Sequence, residues 1–220
     1  MNAYADEKLV AEFTKKFELI GHKLFQVFWL AKNAEEHIKK LLEFFNPNLG
    51  SRIIDLGCGV GETARLMKLQ RPDLDFILVN QSQAQLFNCP DEFMKIECDF
   101  HEIPYSGEAK AIMITYALGH ADLPKVLTEA ARLLKNGGHL YLYDISSMND
   151  IYISDLYYHA YSVNRVIREA KKAGFDGYHS IYENPKSYHS HMFDIIDEKT
   201  FDYLFLDIYP YIAKFTIHAH

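Results

Sequence analysis

Cysteine is scarce in this chain, and Cys58, Cys89 and Cys98 are too few and too unevenly placed for a disulfide framework or a zinc site. A resident metal is therefore not expected. Positive charge is also short, with 23 Lys and Arg against 30 Asp and Glu and a net charge of −7. Non-specific nucleic-acid binding rests on a cationic surplus that neutralises phosphates, so that class of partner is not expected. No apolar run approaches the roughly 20 residues that cross a bilayer. The opening Met-Asn-Ala-Tyr-Ala-Asp-Glu carries no apolar signal segment. The expectation is a soluble, cytoplasmic protein in a reducing compartment, with no membrane partner. Internal repeats, low-complexity linkers and charge runs are missing too, so 1–220 reads as a single domain. Tryptophan occurs once, at Trp29, yet Tyr and Phe number 15 each. That richness suits a well-filled core or an apolar ligand cavity.

What the chain does have is glycine at one decisive place. Residues 51–65 read Ser-Arg-Ile-Ile-Asp-Leu-Gly-Cys-Gly-Val-Gly-Glu-Thr-Ala-Arg. Ile53 and Ile54 suit a buried strand, Asp55 follows, and Gly57, Gly59 and Gly61 alternate ahead of helical composition from Glu62. A strand that turns through glycines into a helix presents backbone N–H groups to an anionic ligand. A dinucleotide fingerprint, G-x-G-x-x-G, would need its third glycine where Glu62 stands, so an NAD oxidoreductase is disfavoured.

Downstream, strand and helix patterns alternate. Strands are expected at 52–56, 75–79, 94–98, 111–116 and 139–144, with helices at 62–70, from Ser82, and at 123–134. Such alternation implies an α/β fold, with a parallel sheet and helices on both faces. Ahead of it, residues 5–20 and 23–45 have helical periodicity and would form an N-terminal helical cap, 1–48. After it, a helix at 160–173, a strand at 177–183, a helix at 197–207 and a last strand at 209–218 are expected. The pair His189-x-His191 could hold a metal, but a third fixed ligand is not evident, and a solvated loop is the simpler reading.

The stretch Asp55–Gly61 resembles the first motif of the class I S-adenosylmethionine-dependent methyltransferases, and the likeness extends in order over residues 50–145. By that resemblance the fold is a Rossmann-like seven-stranded sheet, mostly parallel with an antiparallel last strand. The cofactor is S-adenosyl-L-methionine, bound through Asp55, Gly57, Cys58, Gly59 and Gly61. The acidic residue usual after the second strand is replaced by Asn80, in Asn-Gln-Ser-Gln-Ala-Gln. This is similar to the cyclopropane synthase-like branch and would leave Asn80, Gln81 and Gln85 to bond the ribose; amides can both donate and accept. Asp99 and Phe100 resemble the adenine-binding signature, with Asp99 accepting from the amino group and Phe100 on the ring face. Beside them, His101 and Glu102 are expected to be solvated. Leu-Leu-Lys-Asn136-Gly137-Gly138 is similar to the turn that precedes the fifth strand, with Asn136 in place of proline.

The reaction centre would lie after the fourth strand, in Thr115-Tyr116-Ala-Leu-Gly-His120, since open α/β sheets bind ligands beyond their strands' carboxyl ends. Thr115 and Tyr116 would border the methionine part. His120 is the candidate general base, because histidine ordinarily titrates near working pH; the alternative is that it supports the loop. Tyr116 and Ala117 stand where cyclopropane synthases carry a glutamate, which argues against cyclopropanation. Trp29, Tyr158 and His159 are candidate acceptor-binding residues, with Tyr157–Tyr161 as an aromatic lid or an ordinary helix buttress. The expected function is methyl transfer to a small-molecule acceptor, held by the substrate-side part, 146–220. The alternative is a non-catalytic S-adenosylmethionine-binding partner protein. The oligomeric state is left open, a homodimer included.

Overall fold

Strand alternation decides which residues face which layer. In the computed structural model, which describes residues 29–105, 109–153, 157–181 and 208–218, β1 (Arg52–Leu56) pairs in parallel with β2 (Asp75–Asn80) on one side and β4 (Ala109–Thr115) on the other. β3 (Met94–Glu97) extends the β2 side, and β5 (Leu134–Ser147) extends the β4 side, both in parallel. β9 (Ile208–Ile217) then pairs antiparallel with β5, and β8 (Phe175–Ile181) pairs antiparallel with β9. The sheet order is β3-β2-β1-β4-β5-β9-β8, seven strands of which the last in the chain alone runs backwards. This is the Rossmann-like α/β sheet expected from the sequence.

The two faces of the sheet carry two apolar layers. Ile54, Leu56, Ile77, Val79, Ile112, Ile114, Leu140 and Leu142 pack under α4 (Leu123–Leu133) and α5 (Val163–Lys172). Ile53, Phe76, Leu78, Met113, Tyr141 and Tyr143 pack under α1 (Ala34–Phe45), α2 (Glu62–Gln70) and α3 (Gln83–Phe87). Odd and even strand positions thus feed opposite cores, as a period of two requires.

Several boundaries differ from the sequence reading for local reasons. The helix expected over 23–45 begins only at Ala34, because the Asn33 side chain accepts from Glu36 N at 2.9 Å and caps it; Trp29–Asn33 are not helical. Lys135–Gly138 do not form a turn outside the strand. They bulge within β5, where the step from Ala109 to Ala111 on β4 faces the step from Leu134 to His139. Gly137 takes a φ of 75° there. Where an aromatic lid or a helix was expected, β6 (Ile151–Ile153) and β7 (Tyr158–Ala160) form an antiparallel ribbon. The helices expected at 5–20 and 197–207, the first part of that at 23–45, and His189 and His191 lie outside the described residues.

Candidate functional site

The strand order turns back between β1 and β4, and the loops at the carboxyl ends of β1 to β4 meet there. The first loop is pinned to β2: Gly57 N and Cys58 N both donate to Val79 O, at 2.9 and 3.1 Å. Two of its glycines are needed for reasons that differ. A Cβ on Gly57 would stand 2.5 Å from Ala117 Cβ, so the loop touches the turn after β4. Gly59, at φ 58°, has no atom of the described residues within 4 Å of its Cβ position. Gly61 is the αL residue that starts α2, whose first N–H groups follow the loop.

Beneath this loop Asp55 is completely buried, and neither carboxylate oxygen has a hydrogen-bond partner among the described residues. Burial alone pushes its pKa up to about 7. An unpartnered buried carboxylate is costly unless a cation or donor reaches it. Cys58 and Cys89 each place sulfur 3.5 Å from Gly59 O. The hydrogen bond between these thiols, then burial, raises Cys58 well above the usual thiol range, and the same bond lowers Cys89.

Asn80, at the end of β2, is occupied by the protein itself. Its Nδ2 donates to Gly59 O at 3.2 Å and to Gln85 Oε1 at 2.8 Å, while Oδ1 accepts from Ser82 N at 3.1 Å. Both amide hydrogens are spent, so Asn80 shapes the loop and orients Gln85 rather than offering donors outward. Gln85 Nε2 has no hydrogen bond among the described residues, and Gln81 is half-buried beside it. After β3, the Phe100 ring lies 3.6 Å from the Gly57 Cβ position, which brings Asp99 and Phe100 to the glycine loop. His101 is not solvated as expected. Its ring bonds Asp99 Oδ1 at 2.5 Å and Asp122 N at 3.0 Å.

At the end of β4, Thr115 is buried and Tyr116 takes a φ of 55°, a strained value for a side chain of that size. Tyr116 N donates to Tyr143 O at 3.0 Å, and the two rings meet edge to face at 5.2 Å. Burial, then Tyr143, raises the Tyr116 hydroxyl well above its usual range, so it remains a protonated donor. Asp144, at the far end of β5, secures this turn by accepting from Leu118 N at 2.8 Å and Ile145 N at 2.6 Å. No motif marks Asp144 in the sequence; its one local signal is a carboxylate at the end of a largely apolar strand.

His120 does not have the ordinary titration assumed for a general base. Burial pushes it down to about 4, against a hydrogen bond to Tyr157 O at 3.2 Å. That carbonyl can only accept, so Nδ1 carries the proton and the ring is neutral at pH 7. Tyr158 meets His120 edge to face at 4.9 Å and lies over Gly119, where any Cβ would stand 2.2 Å from its ring. Tyr158 is only 4% exposed, and its hydroxyl has no partner among the described residues. His159 was grouped with Tyr158, but strand alternation sends it to the opposite, exposed side of the ribbon, stacked on Tyr161 at 5.4 Å. Trp29 stacks on His37 at 5.9 Å, His37 lies 5.0 Å from the Tyr143 ring, and Tyr143 meets Tyr116. Four rings therefore run from the N-terminal segment to the β4 turn. Among the described residues, no group of three or more His, Cys, Asp or Glu is placed to hold a metal ion.

These parts fit a ligand that has a cationic group over Asp55, hydroxyls near Gln85 and a flat ring near Phe100. Known proteins bear on which ligand. Residues 29–195 match the family model described as a methyltransferase domain. The chain is 25% identical over 148 residues to the demethylmenaquinone methyltransferase of Thermotoga maritima, covering 64% of this chain and 62% of that protein. It thus spans less than two thirds of that curated relative. Among solved structures, the phosphoethanolamine N-methyltransferase 2 of Haemonchus contortus, in complex with S-adenosylhomocysteine, superposes with a TM-score of 0.69 at 16% identity, over 86% of this chain and 54% of that one. The cyclase SpnF superposes with a TM-score of 0.69 at 15% identity, over 94% of this chain and 96% of that one. At such identities the superpositions establish the fold.

Proposed function

The chain belongs to the methyltransferase domain family, and from that premise we propose that it transfers the methyl group of S-adenosylmethionine to a small-molecule acceptor. The observation that carries the reading is Asp55, a buried carboxylate with no hydrogen-bond partner among the described residues, under the glycine loop Gly57–Gly61. A zwitterionic amino acid portion supplies the ammonium that such a carboxylate lacks. Gln85 would hold the ribose, and Asp99 with Phe100 the adenine. The bound cofactor supplies a methyl group on a sulfonium, already reactive toward a nucleophile. The protein's own task is then to align the acceptor and exclude water. Tyr116 and Tyr158 bring buried hydroxyls to that place, and the ring series from Trp29 to Tyr116 links the N-terminal segment to it. The division of labour would be a cofactor core at 50–145 with the acceptor held by the N-terminal cap and the part after 146.

His120 favours an acceptor that is nucleophilic without a strong base, since a ring titrating at about 4 removes protons poorly at neutral pH. The same observation supports the second reading, a cofactor-binding protein that methylates nothing. Incubation with methyl-labelled S-adenosylmethionine and a panel of small amines, phenols, quinols and thiols separates them. Label recovered in a small molecule is expected. Tight cofactor retention with no labelled product from any acceptor class would support the binder instead.

A further inference from the structure

The chemistry around His101 is settled by one backbone donor. Asp122 N–H points to Nε2 at 3.0 Å, so Nε2 must accept and Nδ1 must carry the ring hydrogen. Nδ1 then donates to Asp99 Oδ1 at 2.5 Å, and His101 N donates to the same oxygen at 2.9 Å. Asp99 Oδ1 is thereby held by two donors from one residue, while Oδ2 has no hydrogen bond among the described residues. The imidazole also leans on the Phe100 ring, at 4.9 Å and 50°. Asp122 is the N-cap of α4, two residues beyond His120. One histidine thus ties the loop after β3 to the head of α4.

We propose that His101 is a positioning residue that turns Asp99 so that Oδ2 is presented to the exocyclic amino group of the cofactor's adenine. The proposal rests on the cofactor reading above. A carboxylate only accepts, so it recognises an amino group and repels a carbonyl in its place; the discrimination is sharp only if the carboxylate cannot rotate away. His101 removes that rotation. It does not touch the cofactor in this account and acts through Asp99.

The test compares S-adenosylhomocysteine with S-inosylhomocysteine, in which a carbonyl replaces the amino group, by calorimetric titration. The native protein should bind the adenosyl compound at least about tenfold more tightly. His101→Leu should lose most of that preference while binding the inosyl compound nearly as before. His101→Asn, whose amide N–H can replace the Nδ1 donor, should restore part of it. Should the leucine variant fail to fold, His101→Gln keeps an acceptor for Asp122 N but not the donor to Asp99, and should also lose the preference. An undiminished preference in His101→Leu or His101→Gln overturns the proposal. Equal weakening of both ligands, which a merely structural histidine would give, overturns it as well. A native protein that binds S-adenosylhomocysteine but prefers neither ligand instead removes the adenine assignment of Asp99, and the proposal with it.

Discussion

Asp55 carries the sharpest consequence of the site's electrostatics. Its carboxyl is held at about 7 by burial, and an ammonium beside it would favour the charged form and lower that value. Binding S-adenosylhomocysteine should therefore release close to one proton at about pH 6 and almost none at about pH 8. Calorimetry in buffers of different ionisation enthalpy measures this, and proton uptake at the lower pH would contradict it. The same group sets a stability trend. Because its folded pKa is raised, its favourable contribution is present at low pH and is lost as pH rises through about 7. Asp55→Asn should therefore raise the melting temperature at pH 8, by about 2–4 °C, while weakening S-adenosylhomocysteine at least about tenfold. A variant that melts lower at pH 8 and binds normally would remove Asp55 from the account.

The ribbon and the turn after β4 form one packed unit. Gly119 has no room for a side chain because the Tyr158 ring lies against it. Gly119→Ala should cost about 1–3 kcal/mol, as overpacking does. Adding Tyr158→Ala should recover much of that loss, so the two changes should be strongly non-additive in denaturant melts. Simple additivity would mean that the ribbon is not seated on the turn. This unit was poorly legible in the sequence. Tyr157–Tyr161 offered only aromatic composition, and whether it was strand or helix depended on Ser146 and Ser147, whose hydroxyls donate to Tyr161 O and Ala160 O. The strand–glycine–helix element was legible in full, because glycine spacing and a capping position are local properties.

At the scale of the whole molecule, the α/β class and most element positions could be read from alternation, and the antiparallel last strand followed from the family resemblance, whereas the strand order and the polar supports could not be read locally. Asp144, His37 and His101 act across the sheet or between loops, and no local pattern announces such pairing. His37 and His120 are pushed down to about 3 and about 4, in each case chiefly by burial. A depressed histidine stabilises the fold fully above its unfolded value near 6.5, and the contribution is lost as pH falls toward the folded value. The histidine contribution should thus decline between about pH 6.5 and 4, against the opposite trend of Asp55 and Asp144, both pushed up to about 7 by burial, and His37→Gln should make the slope of stability with pH less positive over this range. Urea melts across this range would show it; an unchanged slope in the variant would contradict it. The central claim, that the loop at Asp55–Gly61 is built for S-adenosylmethionine, is tested most directly by titrating the purified protein with S-adenosylhomocysteine and, separately, with NAD. Saturable binding of the first, weakened in Asp55→Asn, with none of the second is the expected result. Binding of NAD alone would contradict it.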